Sequence, residues 1–384
     1  MQLYIIPSWY PTDIHPENGS FFRDRAQMLS KGGMNVTLFS AIQHSFRDIL
    51  SYKKITNTFN DDDGMDTHIY QTVNLYPKLK KCAFKKYQKF AIQCFNKTIA
   101  EQGKPDAIFF NSSLWGASAL VDELKQKRIP FFVSEHLKEF MPSYKFSSFQ
   151  LDAINNVYSY ATAIIAPSSA LQKSIATKFP DYKNKVLHLP NPVDEDIFTF
   201  KEDKDDTSRV NFICVGLFRS EKNINIIIDS FATILKKNIN THLTLVGDGP
   251  LKGEIENQIR KLNIQEHITL KGYLAPLLVA KELKRSDVLV SASSVETFGM
   301  SILEAQSCGL PAIVTDCGGP SDIINKKTGI VVDSKLNESL SSAMMSMINN
   351  LSTYDSKCIR EKAIDSFGKA KYNHSIRKII AISI

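Results

Sequence analysis

The strongest constraint on the fold is a repeated alternation of short apolar runs with stretches of helical spacing. Gln2–Pro7 is a short β-rich run, a loop rich in Pro, Asp, Asn and Gly follows as far as Gly19, and helical spacing from Phe21 to Lys31 ends at Gly32-Gly33 before the apolar run Val36–Ser40. That order predicts a βαβ unit. Ala107–Asn111, Phe131–Ser134 and Ala163–Ala166 repeat the strand pattern with helix-like stretches between them. Such a series predicts an α/β fold, a parallel sheet with helices on both faces.

The series then breaks. A charged, non-periodic decapeptide, Phe200 to Arg209, lies just past the turn residues Leu189-Pro-Asn-Pro-Val-Asp194 and is read as a linker. Beyond it the alternation restarts with strands at Asn211–Val215, Leu243–Val246, Ile268–Leu270, Val288–Ser291 and Ala312–Thr315, and with helices at Asn225–Leu235, from Leu251, and at Met300–Cys308. The length of 384 residues fits two domains of roughly 100–200 residues each. The expected division is residues 1–200 and 201–365, with a C-terminal helix over 366–384 that packs back on the first domain.

An apolar share of 43% and a charged share of 23% are those of a globular chain with an ample core. The six cysteines show no Cys-x-x-Cys and no zinc spacing, so neither a disulfide framework nor a structural metal is expected, and a reducing, cytoplasmic setting fits. The opening MQLYIIPSWYP lacks a basic leader and stops its apolar run at Pro7, and no run of about 18 apolar residues occurs. A net charge of +7 is spread over both halves, and no nucleic-acid partner is expected. One local exception is Thr67–Ala100, with seven lysines and no acid. Its lysines from Lys78 to Lys97 interleave with Phe84, Tyr87, Phe90 and Phe95, which reads as a basic amphipathic helix suited to an anionic membrane surface or as a solvated helix face.

The most informative local text runs from Ser293 to Val314. Glu296 and Glu304 stand eight apart around a tight Phe298-Gly299 turn that opens a helix, where the amides of Gly299, Met300 and Ser301 form an anion site. Read structurally, Glu296 is a cap-region acid and Glu304 a helix residue, yet the apolar neighbours of Glu304 make it half-buried, and buried acids need partners. Gly216, at the end of the first strand of the second series, allows a close turn, and Arg219 and Lys222 on the loop after it suit a diphosphate. Gly247-Asp-Gly249-Pro250 ends the next strand; it fails as a dinucleotide fingerprint, because Pro250 and Gly253 break the register, and it also reads as a plain turn. Ser134-Glu135-His136 puts a histidine at a strand end, either structural or a donor to a sugar or phosphate. The run Asp61-Asp62-Asp63 lies in an Asn-flanked loop without an apolar strand to deliver it, and is rejected as a metal site.

These segments together resemble the retaining glycosyltransferases of family 4, which have the two-domain GT-B fold, with two Rossmann-like domains facing across a cleft. Val215–Asn223 looks like that family's Val-Gly-Arg-Leu-x-x-x-Lys segment, Val246–Pro250 like its Val-Gly-x-Gly-Pro turn, and Glu296–Glu304 like its Glu-x7-Glu motif. Gly318-Gly319-Pro320 with Asp322, Thr328-Gly329, and Asn191-Pro-Val-Asp194 with Phe198 match further segments in family order. Pro7-Ser-Trp-Tyr-Pro with Gly19-Ser-Phe-Phe-Arg resembles the front loop of cell-surface polysaccharide enzymes within the family. Departures are Leu217 where the family has Arg, Asp322 where it has Glu, and a single Gly in the front loop.

The resemblance implies roles. Glu296 would hold hydroxyls of the donor sugar and Glu304 the ribose, while Arg219 and Lys222 neutralise the leaving diphosphate with the amides at Gly299 to Ser301. His136 would contact the transferred sugar and Gly19 would lie near the phosphates, with Gly216, Gly247, Gly249 and Phe298 shaping the nucleotide site. The implied activity is transfer of a hexose or N-acetylhexosamine from a nucleoside-diphosphate sugar, UDP-sugar foremost, to a lipid-linked or growing surface glycan, without metal or cofactor. Rival readings are a nucleotide-sugar 2-epimerase, a silent nucleotide-sugar-binding protein, and an NAD enzyme, which the misplaced Gly-x-Gly disfavours.

Overall fold

In a computed structural model, residues 1–13, 19–45, 57–61, 64–76, 78–200, 209–237, 240–333 and 337–383 are described. Most of the linker decapeptide, part of the front loop, and Asp62 and Asp63 therefore lie outside the described residues. The chain divides into two compact units, Met1–Pro167 with Leu171–Leu189 and Asn373–Ile384, and Ser168–Ala170 with Pro190–Tyr372.

The first unit holds an eight-stranded sheet of β1 (Gln2–Pro7), β2 (Asn35–His44), β3 (Thr58–Asp61), β4 (Asp66–Val73), β5 (Ala107–Asn111), β6 (Phe131–Ser134), β7 (Ala163–Ala166) and β8 (Val186–His188). Their order is β3-β4-β2-β1-β5-β6-β7-β8, and every pairing is parallel except β3 with β4. Asp61 thus sits on an antiparallel edge strand rather than in a loop. Its helices are α1 (Ser20–Lys31), α2 (Lys80–Gln102), α3 (Ser118–Lys127), α4 (Ser148–Tyr160) and, from Leu171 on, α5 (Ser169–Lys178). The central strands are apolar on both faces, as a sheet covered by helices on each side requires, and β5 is buried at every position. Phe109 lies over Phe132 and Phe110 meets Phe131 edge-on, ring centroids 6.4 and 5.6 Å apart.

The lysine-rich stretch forms α2, and there the structure departs from an apolar face turned outward. Tyr87 and Phe95 are buried against the sheet, with the Tyr87 hydroxyl donating to the Ala41 carbonyl at 3.1 Å, so these two aromatics of α2 belong to the core, Phe84 and Phe90 are half-buried, and the lysines face water. Among the described residues, no helix is long and apolar enough to cross a membrane.

The second unit holds a six-stranded, wholly parallel sheet of β9 (Val210–Val215), β10 (Thr241–Val246), β11 (Ile268–Gly272), β12 (Val288–Ser291), β13 (Ala312–Thr315) and β14 (Gly329–Val332), in the order β11-β10-β9-β12-β13-β14. Around it lie α6 (Ile224–Leu235), α7 (Lys252–Lys261), α8 (Pro276–Lys284), α9 (Met300–Ser307), α10 (Asn337–Asn350) and α11 (Ser356–Phe367). α6 buries Ile224, Ile227, Ile228, Phe231 and Ile234, one apolar stripe at helical spacing.

The division falls at Leu189/Pro190 rather than at residue 200, for a reason of packing. Val193 and Phe198 are buried in the core of the second unit beside Phe298 and Leu303, and the Val193 amide donates to the Phe367 carbonyl at 2.9 Å. At the other end, α12 (Lys369–Ser383) starts in the second unit, where the Lys369 ammonium bridges Asp194 and Asp196. It finishes in the first: Asn373 donates to the Met28 carbonyl at 3.4 Å and Arg377 to that of Gly32 at 2.7 Å, while Ile376 and Ile380 are fully buried. Ile376→Ala and Ile380→Ala are each expected to cost about 2–5 kcal/mol. In urea titrations the loss should fall on the transition of the first unit, and an unchanged midpoint in both variants would reject the docked helix.

Candidate active site

In the second unit, the chain leaves β9 toward β10 on one side and β12 on the other, and ligands of open α/β sheets bind outside the carboxyl ends of the strands at such a reversal. Two loops emerge there. The β9 loop runs from Gly216 through the 3-10 turn Ser220–Lys222 to Asn223, which is in the left-handed region at φ 48° and ψ 42° and begins α6. The β12 loop runs from Ala292 to Gly299 and begins α9. Asn223 Nδ2 donates to the Ala292 carbonyl at 2.9 Å and the Ser294 amide donates to the Glu221 carbonyl at 2.8 Å, so one side-chain amide and one backbone amide tie the loops. Between these ties Lys222 Nζ donates to Glu296 Oε2 in a half-buried ion pair. Burial works against the charge of Lys222, but the field and hydrogen bond of Glu296 outweigh it and hold the ammonium above its ordinary pKa.

Glu296 is also anchored through its backbone to the turn after β13. Its amide donates to the Cys317 carbonyl at 3.2 Å and its carbonyl accepts from the Gly319 amide at 2.9 Å. Gly319 is required there, because a Cβ would stand 2.3 Å from the Phe298 Cα. Phe298 turns its ring into the core, edge-on to Phe367 at 5.9 Å, and so offers the loop only backbone. Gly299 then caps α9 at φ 108° with no side-chain cap. The Ile302 and Leu303 amides both turn back to the Gly299 carbonyl, while the amides of Gly299, Met300 and Ser301 have no acceptor among the described residues. Three donors at the positive end of a helix make a site for an anion.

Glu304 lies one turn beyond Met300 on the same helical face. It is half-buried, its carboxyl has no hydrogen bond or ion pair among the described residues, and burial pushes that carboxyl up to about 7. A desolvated carboxyl without a partner suits ligand hydroxyls.

The glycine turns serve packing instead. The amide of Gly216 is spent on the Val246 carbonyl, that of Gly247 on Gly272, and that of Gly249 on Asp248 Oδ1, so none is free to cradle a phosphate. A Cβ on Gly247 would stand 1.9 Å from the Gly216 carbonyl oxygen, which explains the Gly-x-Gly as a close approach between two strand-end loops. Arg219 is exposed and its guanidinium has no partner among the described residues.

In the first unit, Gly19 is buried at φ 70° as the N-cap of α1, where a Cβ would meet the Trp9 carbonyl oxygen at 2.5 Å. His136 follows β6, its Nε2 2.9 Å from Ser134 Oγ and 3.2 Å from Arg25 Nη1. Burial, then the charge of Arg25, holds its pKa well below the ordinary value, so the ring is neutral at physiological pH. Arg25 can only donate, which assigns Nε2 as acceptor and puts the ring proton on Nδ1. Arg25 and Glu135 are residues that sequence reasoning passed over. Glu135 is fully buried; its Oε1 accepts from the Ser113 amide and the Tyr158 hydroxyl, each at 3.0 Å. Burial raises its pKa to about 7 against those hydrogen bonds. Neither had a signal beyond position, since a buried charge shows itself only in three dimensions.

Comparison with known proteins agrees with this architecture. The family model Glycosyltransferase Family 4 matches residues 22–197 and the model Glycosyl transferases group 1 matches residues 194–363. An uncharacterized glycosyltransferase of Methanocaldococcus jannaschii is 31% identical over 194 residues, 47% of each chain. The GDP-mannose-dependent alpha-(1-6)-phosphatidylinositol dimannoside mannosyltransferase of Mycobacterium tuberculosis is 26% identical over 157 residues, 41% of this chain and 40% of that one. The chain spans about half or less of the length of the curated relatives it matches. Among solved structures, sucrose-phosphate synthase from Thermosynechococcus elongatus aligns over 100% of both chains at TM-score 0.77 and 17% identity. Anabaena HepE in complex with UDP aligns over 99% of both at 0.74 and 16%. With both halves matched by successive glycosyltransferase models and the fold shared along its whole length, the chain belongs to the family 4 glycosyltransferases of GT-B fold.

Proposed function

We propose that this glycosyltransferase moves a hexosyl or N-acetylhexosaminyl group from a nucleoside-diphosphate sugar, UDP-sugar foremost, to a glycan or lipid-linked glycan, with retention and without a metal. The observation that carries the reading is the Lys222–Glu296 pair beside three uncommitted amides at the start of α9. As the bond from the sugar to the diphosphate lengthens, charge gathers on the leaving phosphate. An ammonium held charged and helix-start amides already in place stabilise that charge with little reorganisation. Arg219, exposed on the same loop, is a second cation within the chain's own means.

An arriving diphosphate draws Lys222 toward itself and frees Glu296 to accept from hydroxyls of the donor sugar. Glu304 accepts from the ribose hydroxyls, and the His136 Nδ1–H of the first unit is a donor suited to a sugar hydroxyl. Retention follows if the acceptor hydroxyl attacks the face from which the phosphate departs and gives its proton to that phosphate, so no hydrolase-type carboxylate pair is required. Uridine as the base is supported by the Anabaena HepE complex with UDP, while the mycobacterial relative is named for GDP-mannose. The exposed lysines 81, 85 and 89 of α2 support a place at an anionic membrane surface, each worth about 1 kcal/mol near such a surface.

Thermal shifts with UDP, GDP, ADP, CMP and NAD in EDTA test the donor site. One nucleoside diphosphate should stabilise the protein, by about 2.7 kcal/mol at a hundredfold excess over Kd. The shift should vanish in Lys222→Ala and Glu304→Gln; stabilisation by NAD alone, or by none of the five, overturns the reading. An epimerase would instead interconvert a UDP-sugar with no acceptor present.

The Glu304 carboxyl gives a pH signature. Its folded pKa is raised, so the unliganded protein loses stability as pH climbs from the ordinary carboxyl range through about 7. Glu304→Gln should therefore raise Tm at pH 8 and leave it unaltered at pH 4.5, and equal effects at the two pH values would refute a desolvated carboxyl. For the membrane surface, Lys85→Glu with Lys89→Glu should abolish sedimentation with phosphatidylglycerol vesicles; unchanged sedimentation would remove α2 from that role.

A further inference from the structure

Two cavities in the first unit take no part in the site described above. One, of about 380 Å³, is lined by residues that include Trp9, Tyr10 and His44 at the carboxyl ends of β1 and β2. The other, of about 280 Å³, lies among Lys80, Phe84, Phe149 and Gln150. They share Gln43, Asn74 and Trp115 and so form one bipartite groove. Volumes of this order hold small-molecule ligands.

Trp115 stands between the two lobes with its side chain half exposed, at 53%. Its backbone lies at φ 62° and ψ −97°, and Ser112, three residues earlier, lies at φ 107°, two positive-φ conformations that non-glycine residues rarely adopt. Strain of this kind persists only where the surroundings impose it. The impositions are visible here. Ser113 N–H donates to the buried Glu135 at 3.0 Å, Ser8 Oγ to the Leu114 carbonyl at 3.0 Å, and Ser118 Oγ to the Trp115 carbonyl at 3.0 Å. A large indole is thus held out toward water at a conformational cost, beside Phe84 and Tyr87 with ring centroids 6.5 and 6.4 Å away. Aromatic faces alternating with carboxamides are the surfaces that sugar rings meet, C–H against ring and hydroxyl against amide.

The charge of the groove is one-sided. Lys80 is exposed and without an ion pair among the described residues, and no described lining residue of either lobe is acidic. The first turn of α2 has no acid and carries Lys80 and Lys81, an arrangement that the helix dipole disfavours until an anion is present.

We infer that this groove binds the acceptor as an acidic oligosaccharide, one sugar ring in each lobe with Trp115 between them, and a carboxylate or phosphate at Lys80. The inference rests on the transferase reading, and it adds the chemical class of the acceptor. A glycan array of uronate-bearing, phosphate-bearing and neutral oligosaccharides, probed in the presence of UDP, tests it. Wild type should bind acidic glycans, the uronate and phosphate arms naming the anion, with signals at least tenfold lower in Trp115→Ala and in the surface variant Lys80→Glu. Binding to neutral glycans alone, binding that both variants retain, or binding to no glycan overturns the proposal. A UDP thermal shift measured on the same wild-type sample separates the two readings. If the shift persists while no acidic glycan binds, the donor site stands and the acceptor class falls.

Discussion

The chemistry of the second unit depends on the tie between two strand-end loops. A parallel sheet delivers β9 and β12 side by side, but their loops would be free to splay without the two backbone-anchored hydrogen bonds, Asn223 to Ala292 and Ser294 to Glu221. These bonds bring a lysine and a glutamate 74 positions apart into one ion pair. Isolated pairs at a surface are worth little in stability. This one matters for where it stands, since it stores a cation beside uncommitted helix amides until an anion arrives.

Much of this was legible in the sequence. Strands of the parallel sheets are short apolar runs, and a run buried on both faces, such as Ala107–Asn111 or Ala312–Thr315, shows itself without knowledge of its neighbours. Strands β3 and β4 were not, because Thr58–Asp61 and Asp66–Val73 are polar or mixed; β4 takes its place from β2, a long-range partner, and β3 pairs with β4 alone. Residue 200 was expected as a boundary because a charged, non-periodic decapeptide follows turn residues there. Val193 and Phe198 decide otherwise because burial in the core of the second unit carries more free energy than local composition can signal. The residues around Glu296 could be named from spacing, whereas the spent amides of Gly216, Gly247 and Gly249 could not, since a glycine needed for phosphate and one needed for close packing look alike in one dimension.

The first unit works by a similar economy of buried polar groups. Strand β6 is followed by two consecutive residues with opposite assignments. Glu135 points inward and restrains the strained loop that presents Trp115, while His136 is held neutral by burial and by Arg25. One strand end therefore governs both an aromatic wall and a ring proton. Both hydrogen bonds that Glu135 accepts end on Oε1, an acceptor that Glu135→Gln would keep, whereas the change would put an amide donor at the buried Oε2 position, which has no partner among the described residues.

The path of the chain has one more consequence. The second unit is nearly continuous in sequence from Pro190 to Tyr372, whereas the first is interrupted and finished by Asn373–Ile384. A chain emerging from the ribosome can complete the core of the second unit before that of the first. Until α12 appears, the first unit lacks Ile376 and Ile380 and leaves the ground they cover open to water and to chaperones. The unit begun first thus cannot close its core until residues 376 and 380 have been made, long after its own strands.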